Sequence, residues 1–259
     1  PGLANMRNHR KLLVTDGKTA FTGGLNIGEI YWPSVSQVGQ MLDFHFKFKG
    51  EIVYYLQSVF TNDWFNVKKE QLTGEPYFIK DQPEFENENA SRVVIDGPGD
   101  EEEKMRWHFL SAINGATESI KIATPYFLPD QGVTTALISA ALRGVKVDIL
   151  LPQKLDHNVV QWATTAILRE FLIHDCSVWL SPPPFDHTKL FIVDSQYSSI
   201  GSSNWDPRSL RLNFEMNVEV YCPKFAEKIE KVYDEKKAHA KRYELSDHEE
   251  RPYPQKVRD

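Results

Sequence analysis

The sequence predicts an α/β fold of two pseudo-symmetric lobes, each a mixed sheet flanked by helices. Two observations carry that prediction. The first is an internal repeat: His9 to Asn26, HRKLLVTDGKTAFTGGLN, reappears as His187 to Asn204, HTKLFIVDSQYSSIGSSN. One constant offset of 178 residues (from 9 to 187) relates His9 to His187, Lys11 to Lys189, Asp16 to Asp194, Gly23 to Gly201 and Asn26 to Asn204. Similarity at a fixed spacing marks a duplicated structural unit. The second is the alternation of short apolar runs with amphipathic stretches from Arg92 onward, the pattern of strands and helices that cover both faces of a sheet.

Taken in order, Leu12 to Val14 is a short apolar run that reads as a strand. Asp16-Gly17 is a strong hairpin signal, and the chain returns through Ala20 to Thr22. A loop, Ile27 to Gln40, leads to a strand over Asp43 to Lys49, where Phe44, Phe46 and Phe48 alternate. Glu51 to Phe65 carries Val53, Leu56, Val59 and Phe60 at helical spacing. Residues 71–91, polar and interrupted by Pro76 and Pro83, read as a linker. Asp100 to Glu103 resembles a capping box that opens a helix through Met105, Phe109, Ile113 and Ala116. Strands over Ile120 to Phe127, Lys146 to Leu151 and Ser177 to Leu180 then alternate with helices over Val133 to Arg143 and Asn158 to His174. After the second hairpin, Met216 to Tyr221 is a strand, and Pro223 opens a charged helix that runs to about Ala240. The tail from Arg242 is polar and is expected to pack loosely. The resulting division is 1–70, the C-terminal part of a first lobe; 71–91, a linker; 92–245, a complete second lobe; and 246–259, a polar tail. The segment equivalent to Arg92 to Ser181 has no counterpart before His9. The first lobe is therefore read as truncated at its N-terminus, and the chain as a fragment.

Composition bounds the function. With 41% hydrophobic and 25% charged residues the chain has ordinary globular make-up. A net charge of −6 weighs against broad nucleic-acid binding, which relies on many phosphate contacts from Lys and Arg. Cys176 and Cys222 lack metal-ligand spacing and read as reduced thiols. No apolar run approaches the ~18 residues of a transmembrane helix.

The repeat itself is chemically pointed. Residues two apart on a strand share a face, so His9 projects with Lys11 and His187 with Lys189. Imidazole, ammonium and the Asn26 or Asn204 amide, each supplied twice, suit metal-independent phosphodiester transfer. That reaction needs a nucleophile, an acid for the leaving alkoxide and fixed positive charge. No cofactor or metal is expected. A catalytic imidazole wants a carboxylate on its other nitrogen. Glu215, which opens the strand after the second hairpin, is the expected partner of His187, and Asp43 at the matching place the expected partner of His9. Asp16 and Asp194 fall on the other strand parity and are expected to hold the hairpins and the interface between lobes. Gly24 and Ser202 lie where backbone can approach a ligand closely; Ser202 and Ser203 can donate to phosphate, and Tyr126 and Arg208 can line the entrance. His108, His157 and His174 have no partner pattern.

Both motifs read His-x-Lys-(x)4-Asp with a Gly-x-x-Asn tail, and in this they resemble the phospholipase D superfamily. ATPYFLPD (123–130), AALRGVKVDILLP (140–152), DHNVVQWA (156–163) and GSSNWDPRS (201–209) resemble its bacterial cardiolipin synthase branch. The similarity runs from about Met6 to Pro252 and is weakest between Asn66 and Asn89. It implies a phospholipase D-type fold with one active site shared by the two lobes. It further implies phosphatidyl transfer between two phosphatidylglycerols through a phosphohistidine, with His9 as nucleophile and His187 as acid and then base. His45, two after Asp43, resembles the family's Asp-x-His arrangement. The implied location is the bacterial cytoplasmic membrane, peripheral or anchored through segments absent from this chain, with phospholipid as substrate and no nucleic-acid partner. Rival readings are hydrolysis to phosphatidic acid, an HKD-type nuclease, and a fragment without turnover. The stretch Tyr31 to Met41 departs from the usual text of the branch, so acceptor preference does not carry over. A hydrophobic face at the mouth of the site favours lipid; a basic groove favours nucleic acid.

Overall fold

The structure is a computed structural model that describes residues 7–32, 41–75, 77–79, 89–98 and 103–251. The first half builds a three-stranded antiparallel sheet from β1 (Leu12–Thr15), β2 (Thr19–Gly23) and β3 (His45–Lys49), followed by helix α1 (Ile52–Lys68). The hairpin between β1 and β2 turns on Asp16 and Gly17, at φ 53° and 61°, the pair of positive values that a two-residue turn of the right twist demands.

The second half contributes β4 (Ala90–Asp96), α2 (Lys104–Gly115), β5 (Ser119–Ala123), α3 (Gln131–Leu142), β6 (Lys146–Pro152), α4 (Asn158–Leu172) and β7 (Ser177–Ser181). The repeat hairpin β8 (Leu190–Val193) and β9 (Tyr197–Gly201) follows, then α5 (Pro207–Arg211), β10 (Glu215–Tyr221), α6 (Pro223–Ala238), β11 (Lys241–Tyr243) and α7 (Leu245–Glu249). All eight strands form one mixed sheet in the order β11-β7-β6-β5-β8-β9-β10-β4, parallel only along β5-β6-β7.

Both faces of this sheet are covered, which explains why LFIV in β8 is a continuous apolar run. Phe191 and Val193 enter a core with Met105 and Phe109 of α2, Leu137 of α3 and Phe171 of α4. Leu190 and Ile192 point the other way, into a second core with Val53, Leu56 and Val59 of α1 and Ile229 and Tyr233 of α6. This second core joins the two sheets, since Ala20 of β2 belongs to it too. Side chains buried this fully stabilise the fold by roughly 1.5–3 kcal/mol each.

Helix starts follow local chemistry. Asp130 caps α3 by accepting from the Gly132 and Val133 N–H groups at 2.8 and 3.1 Å. Asp206 does the same for α5, where Pro207 occupies the first turn.

Several expectations need correction. The strand expected to reach Phe127 ends at Ala123, because Pro125 has no N–H to extend the ladder; Phe127 then makes an isolated bridge to Trp205. The start of β4 was not expected: Ser91 and Arg92 are polar because this strand lies at the sheet edge. The stretch from Arg242, expected to pack loosely, finishes β11 against β7 and forms α7, with His248 buried. Of the box expected to open α2, residues 100–102 lie outside the described residues, and Glu103 makes no side-chain cap.

Candidate active site

The two halves of the repeat meet through their backbones. Asn8 bridges Phe214 in parallel, and Leu42 bridges Asp186 in the same sense. His9 N–H donates to the Phe214 carbonyl at 2.9 Å, and His187 N–H to the Leu42 carbonyl at 2.7 Å. Each histidine strand therefore runs beside the residue that precedes the other half's carboxylate.

That registration decides the pairing. His9 Nδ1 lies 3.0 Å from both carboxylate oxygens of Glu215, and His187 Nδ1 lies 2.8 Å from Asp43 Oδ2. The expected pairing, His187 with Glu215 and His9 with Asp43, is thus reversed. The physical reason is strand spacing. Within one half, β9 separates β8 from β10 and β2 separates β1 from β3, so histidine and carboxylate of the same half stand about 10 Å apart, two strand spacings. The bridges between halves place them one spacing apart.

A carboxylate on Nδ1 holds the proton there and leaves Nε2 with its lone pair. We place the Nδ1 proton on both rings, which leaves Nε2 of His9 free to attack and Nε2 of His187 free to give or take a proton. For His187 it settles a competition, since Lys189 Nζ also approaches Nδ1 at 2.8 Å and Nε2 at 3.2 Å: a nitrogen that donates to Asp43 cannot accept from an ammonium. Lys189 donates to the His187 carbonyl at 2.6 Å and Lys11 to the His9 carbonyl at 2.7 Å, so each lysine folds back under its own histidine. Both ammonium groups feel Asp43 and Glu215 together. Burial nevertheless dominates, bringing Lys11 down to about 8 and Lys189 down to about 7. Burial, then Lys189, also lowers His187 against the opposing pull of Asp43.

Glu215 is fully buried and well supplied with donors: besides His9 it accepts from the Ser202 hydroxyl and from Asn213 Nδ2 at 3.1 Å. Ser202 therefore orients a carboxylate rather than facing a ligand. Gly24 has a similar role, since a Cβ there would lie 2.2 Å from Asp43 Oδ2; the carboxylate occupies the space a side chain would need. Gly23 and Gly201 allow close approach to the neighbouring strand, where a Cβ would meet the Phe44 and Met216 carbonyls, each at 2.3 Å. The Ser203 hydroxyl and the Asn204 Oδ1 are buried and have no partner among the described residues, as befits groups that await a ligand. Asn26 differs from its repeat mate: it is exposed and donates to the Tyr31 hydroxyl at 2.9 Å. Arg208 lies in the first turn of α5, its N–H capped by Asp206. His45 shares the Asp43 face, and burial lowers its basicity.

Asp16 and Asp194 are not part of this cluster. They stand at the hairpin tips, about 16 Å along the strand from the lysines. Asp194 accepts from the N–H groups of Thr117, Glu118 and Ser119, each at 2.8 Å, and from the Thr117 hydroxyl. It thereby anchors the start of β5 and offsets the positive φ of Asp194 and Ser195. These partners belong to its own sheet, so the expected contact at the lobe interface is not made. Asp16 is exposed.

Residues without a signal in the repeat complete the site. The rings of Tyr31, Tyr126 and Phe185 surround His187 at 6.2, 6.3 and 6.0 Å. Arg10 ties β10, α1 and β4 together through the Glu215 carbonyl, Asp63 and the Asp96 carbonyl. Asp186, next to His187, pairs with Lys236 of α6 at 2.6 Å. A cavity of about 490 Å³ lies at the other end of β8 to β10, by Asp194 and Tyr221. Its buried Glu219 is satisfied by Tyr197, Tyr221, His108 and Arg92, which gives His108 a structural task.

Residues 109–237 match a family model described as cardiolipin synthase, PLD-like domain. The chain belongs to the phospholipase D superfamily. Among superfamily relatives, the probable cardiolipin synthase YwiE of Bacillus subtilis is 39% identical over 214 residues, 83% of this chain and 42% of that protein. The major cardiolipin synthase ClsA of the same organism is 34% identical over 249 residues, 96% of this chain and 52% of that protein. The chain thus spans about half the length of the curated relatives it matches. Phosphatidylserine synthase from Haemophilus influenzae superposes with TM-score 0.76 at 15% identity, covering 97% of this chain and 68% of that one. Nuc from Salmonella typhimurium, a phospholipase D family member, superposes with TM-score 0.53 at 24% identity over 61% of this chain. These two likenesses concern the fold.

Proposed function

We propose that this protein transfers a phosphatidyl group from one phosphatidylglycerol to another, forming cardiolipin and glycerol. The observation that carries it is the crossed pair of histidine–carboxylate couples above the buried Lys189 and the half-buried Lys11, and the matches to cardiolipin synthases support the lipid assignment. His9 Nε2 attacks phosphorus while the bond to the departing glycerol oxygen breaks, and His187, which enters this step as the imidazolium with Nδ1–H on Asp43, gives its Nε2 proton to that oxygen. His187 then takes the proton of the acceptor hydroxyl, whose oxygen attacks phosphorus and releases His9. Lys11, Lys189, Ser203 and Asn204 face the charge that builds on the phosphoryl oxygens.

The rim favours a lipid over a nucleic acid. Ile27 is fully exposed, Trp32 is 62% and Leu42 41% exposed, and each lies within one residue of Asn26, Tyr31 or Asp43. Val159, 70% exposed, opens α4 three residues after Asp156, and Leu212 is exposed beside Asn213. Apolar side chains around a phosphate site suit an interfacial substrate. Among the described residues no helix is long and apolar enough to cross a membrane, so a peripheral contact is the mode this part of the protein offers.

Mass spectrometry of products from phosphatidylglycerol vesicles tests the reading. Cardiolipin with glycerol is expected; phosphatidic acid instead makes the protein a hydrolase with the same chemistry, and no lipid product sinks the lipid assignment. The pH profile is a second test. Both ammonium groups must be charged to hold phosphate, and they lose their protons near 7 and 8. Because kcat/KM reports the free enzyme, it is expected to fall as pH rises through that window. The bound phosphodiester restores the cations, so kcat holds to higher pH. A kcat/KM that stays flat from about pH 6 to 9 counts against cationic lysines in the free site.

A further inference from the structure

The hydroxyl of Tyr126 donates to both carboxylate oxygens of Asp156, at 2.7 and 2.8 Å. Its ring stands edge-on to His187. Across the same imidazole, Tyr31 also presents an edge, and its hydroxyl accepts from Asn26. Burial, with the Asp156 charge adding to it, raises both phenols and keeps Tyr31 and Tyr126 protonated.

These groups have capacity to spare. The Asp156 side chain is 44% exposed, with the His157 ring nitrogen Nε2 3.8 Å away. A carboxylate offers about four acceptor positions, and Tyr126 takes only one proton's worth. The Tyr31 hydroxyl accepts from Asn26 and keeps its own proton for an outside acceptor; the Tyr126 oxygen donates to Asp156 and keeps lone pairs. One strong acceptor, one donor and one weaker acceptor thus stand at the mouth beside the histidine expected to deprotonate the incoming alcohol. Two neighbouring hydroxyls fill such a set; a single hydroxyl fills half of it.

We propose that Asp156, with Tyr31 and Tyr126, forms the acceptor subsite and selects a vicinal diol over a simple alcohol or water. One hydroxyl of the diol bonds to Asp156, which holds the other over His187. The proposal rests on the phosphatidyl-transfer reading and names the residues that choose the acceptor. It also gives a reason why water, abundant but able to make only part of the set, does not dominate the second half-reaction.

The test uses the intact protein with phosphatidylglycerol vesicles and two soluble acceptors at equal concentration, deuterated glycerol and 1-propanol. Labelled phosphatidylglycerol and phosphatidylpropanol are the products counted. The native protein is expected to favour glycerol by about tenfold, the size of one charge-assisted hydrogen bond. Asp156→Asn and Asp156→Ala are expected to bring that ratio close to one and to raise the share of phosphatidic acid. Tyr126→Phe is expected to lower the ratio less. An unchanged ratio in the Asp156 variants overturns the proposal, and so does an equal fall with both alcohols, which marks a structural role. If the native protein makes neither transfer product nor cardiolipin, the transfer reading itself fails and the subsite falls with it.

Discussion

Replacing His9 or His187 with alanine is expected to lower turnover by about 10⁴-fold or more, because in the proposed mechanism each removes a group that forms or breaks a bond. The informative variants are the carboxylates. Glu215→Gln presents an amide to His9 Nδ1 and reverses the tautomer, so Nε2 carries the proton and cannot attack. In a serine protease triad the same exchange costs about 10⁴-fold; about 10³-fold is expected here. Although Glu215 follows the second motif, its loss is expected to suppress formation of the covalent phosphohistidine at His9. Asp43→Asn is expected to act on His187 instead, slowing release of the leaving alcohol and capture of the acceptor. Rapid quench with labelled donor separates the two. Should Asp43→Asn abolish the intermediate and Glu215→Gln let it accumulate, the roles of the histidines are exchanged. Identical behaviour of the two variants would falsify the division of labour altogether.

The largest structural effect is expected at Trp205. This side chain is 2% exposed, stacks on Phe109 at 4.6 Å and meets Phe191 edge-on at 5.0 Å. Its backbone accepts from Leu128 N–H and donates to the Tyr126 carbonyl, so it joins the core to the wall of the site. Trp205→Ala is expected to cost about 3–5 kcal/mol, a large share of the roughly 5–15 kcal/mol that holds a domain together. Because Asn204 precedes it directly, activity is expected to fall even where the chain stays folded. Trp32→Ala, on an exposed side chain, is the control and is expected to shift stability by less than about 0.5 kcal/mol. Urea unfolding of both variants checks the contrast; similar midpoints refute it.

The reach of the sequence differs between fold and site. His9, Lys11, His187 and Lys189 were legible because duplication repeats polar residues where a strand pattern alone is silent. The helices and central strands were legible because both faces of the larger sheet are buried and their apolar runs are unbroken. What stayed hidden depends on distance across the fold. Glu215 and Asp43 were recognised as partners, yet each was given to the wrong histidine, since the text shows which strand follows a hairpin but not which strand lies beside it. Tyr31, Phe185 and Asp156 carry no repeat mate. β4 and β11, at the two edges of the larger sheet, are half polar and read as linker and tail. The unmatched role of Asp194 has the same origin: its partners at 117–119 lie far upstream in the chain.

The exchange of carboxylates also bears on how the chain becomes an enzyme. The two couples join residues 206 and 144 positions apart, among the most distant contacts the chain makes. Contacts of such long reach form late, because the entropy of closing the loops must be met before they contribute. During folding, either sheet on its own holds an imidazole without its carboxylate and a carboxylate without its imidazole. On the proposed mechanism, reactivity toward phosphodiesters therefore arises in one step, when the halves dock, and a half-folded chain is inert.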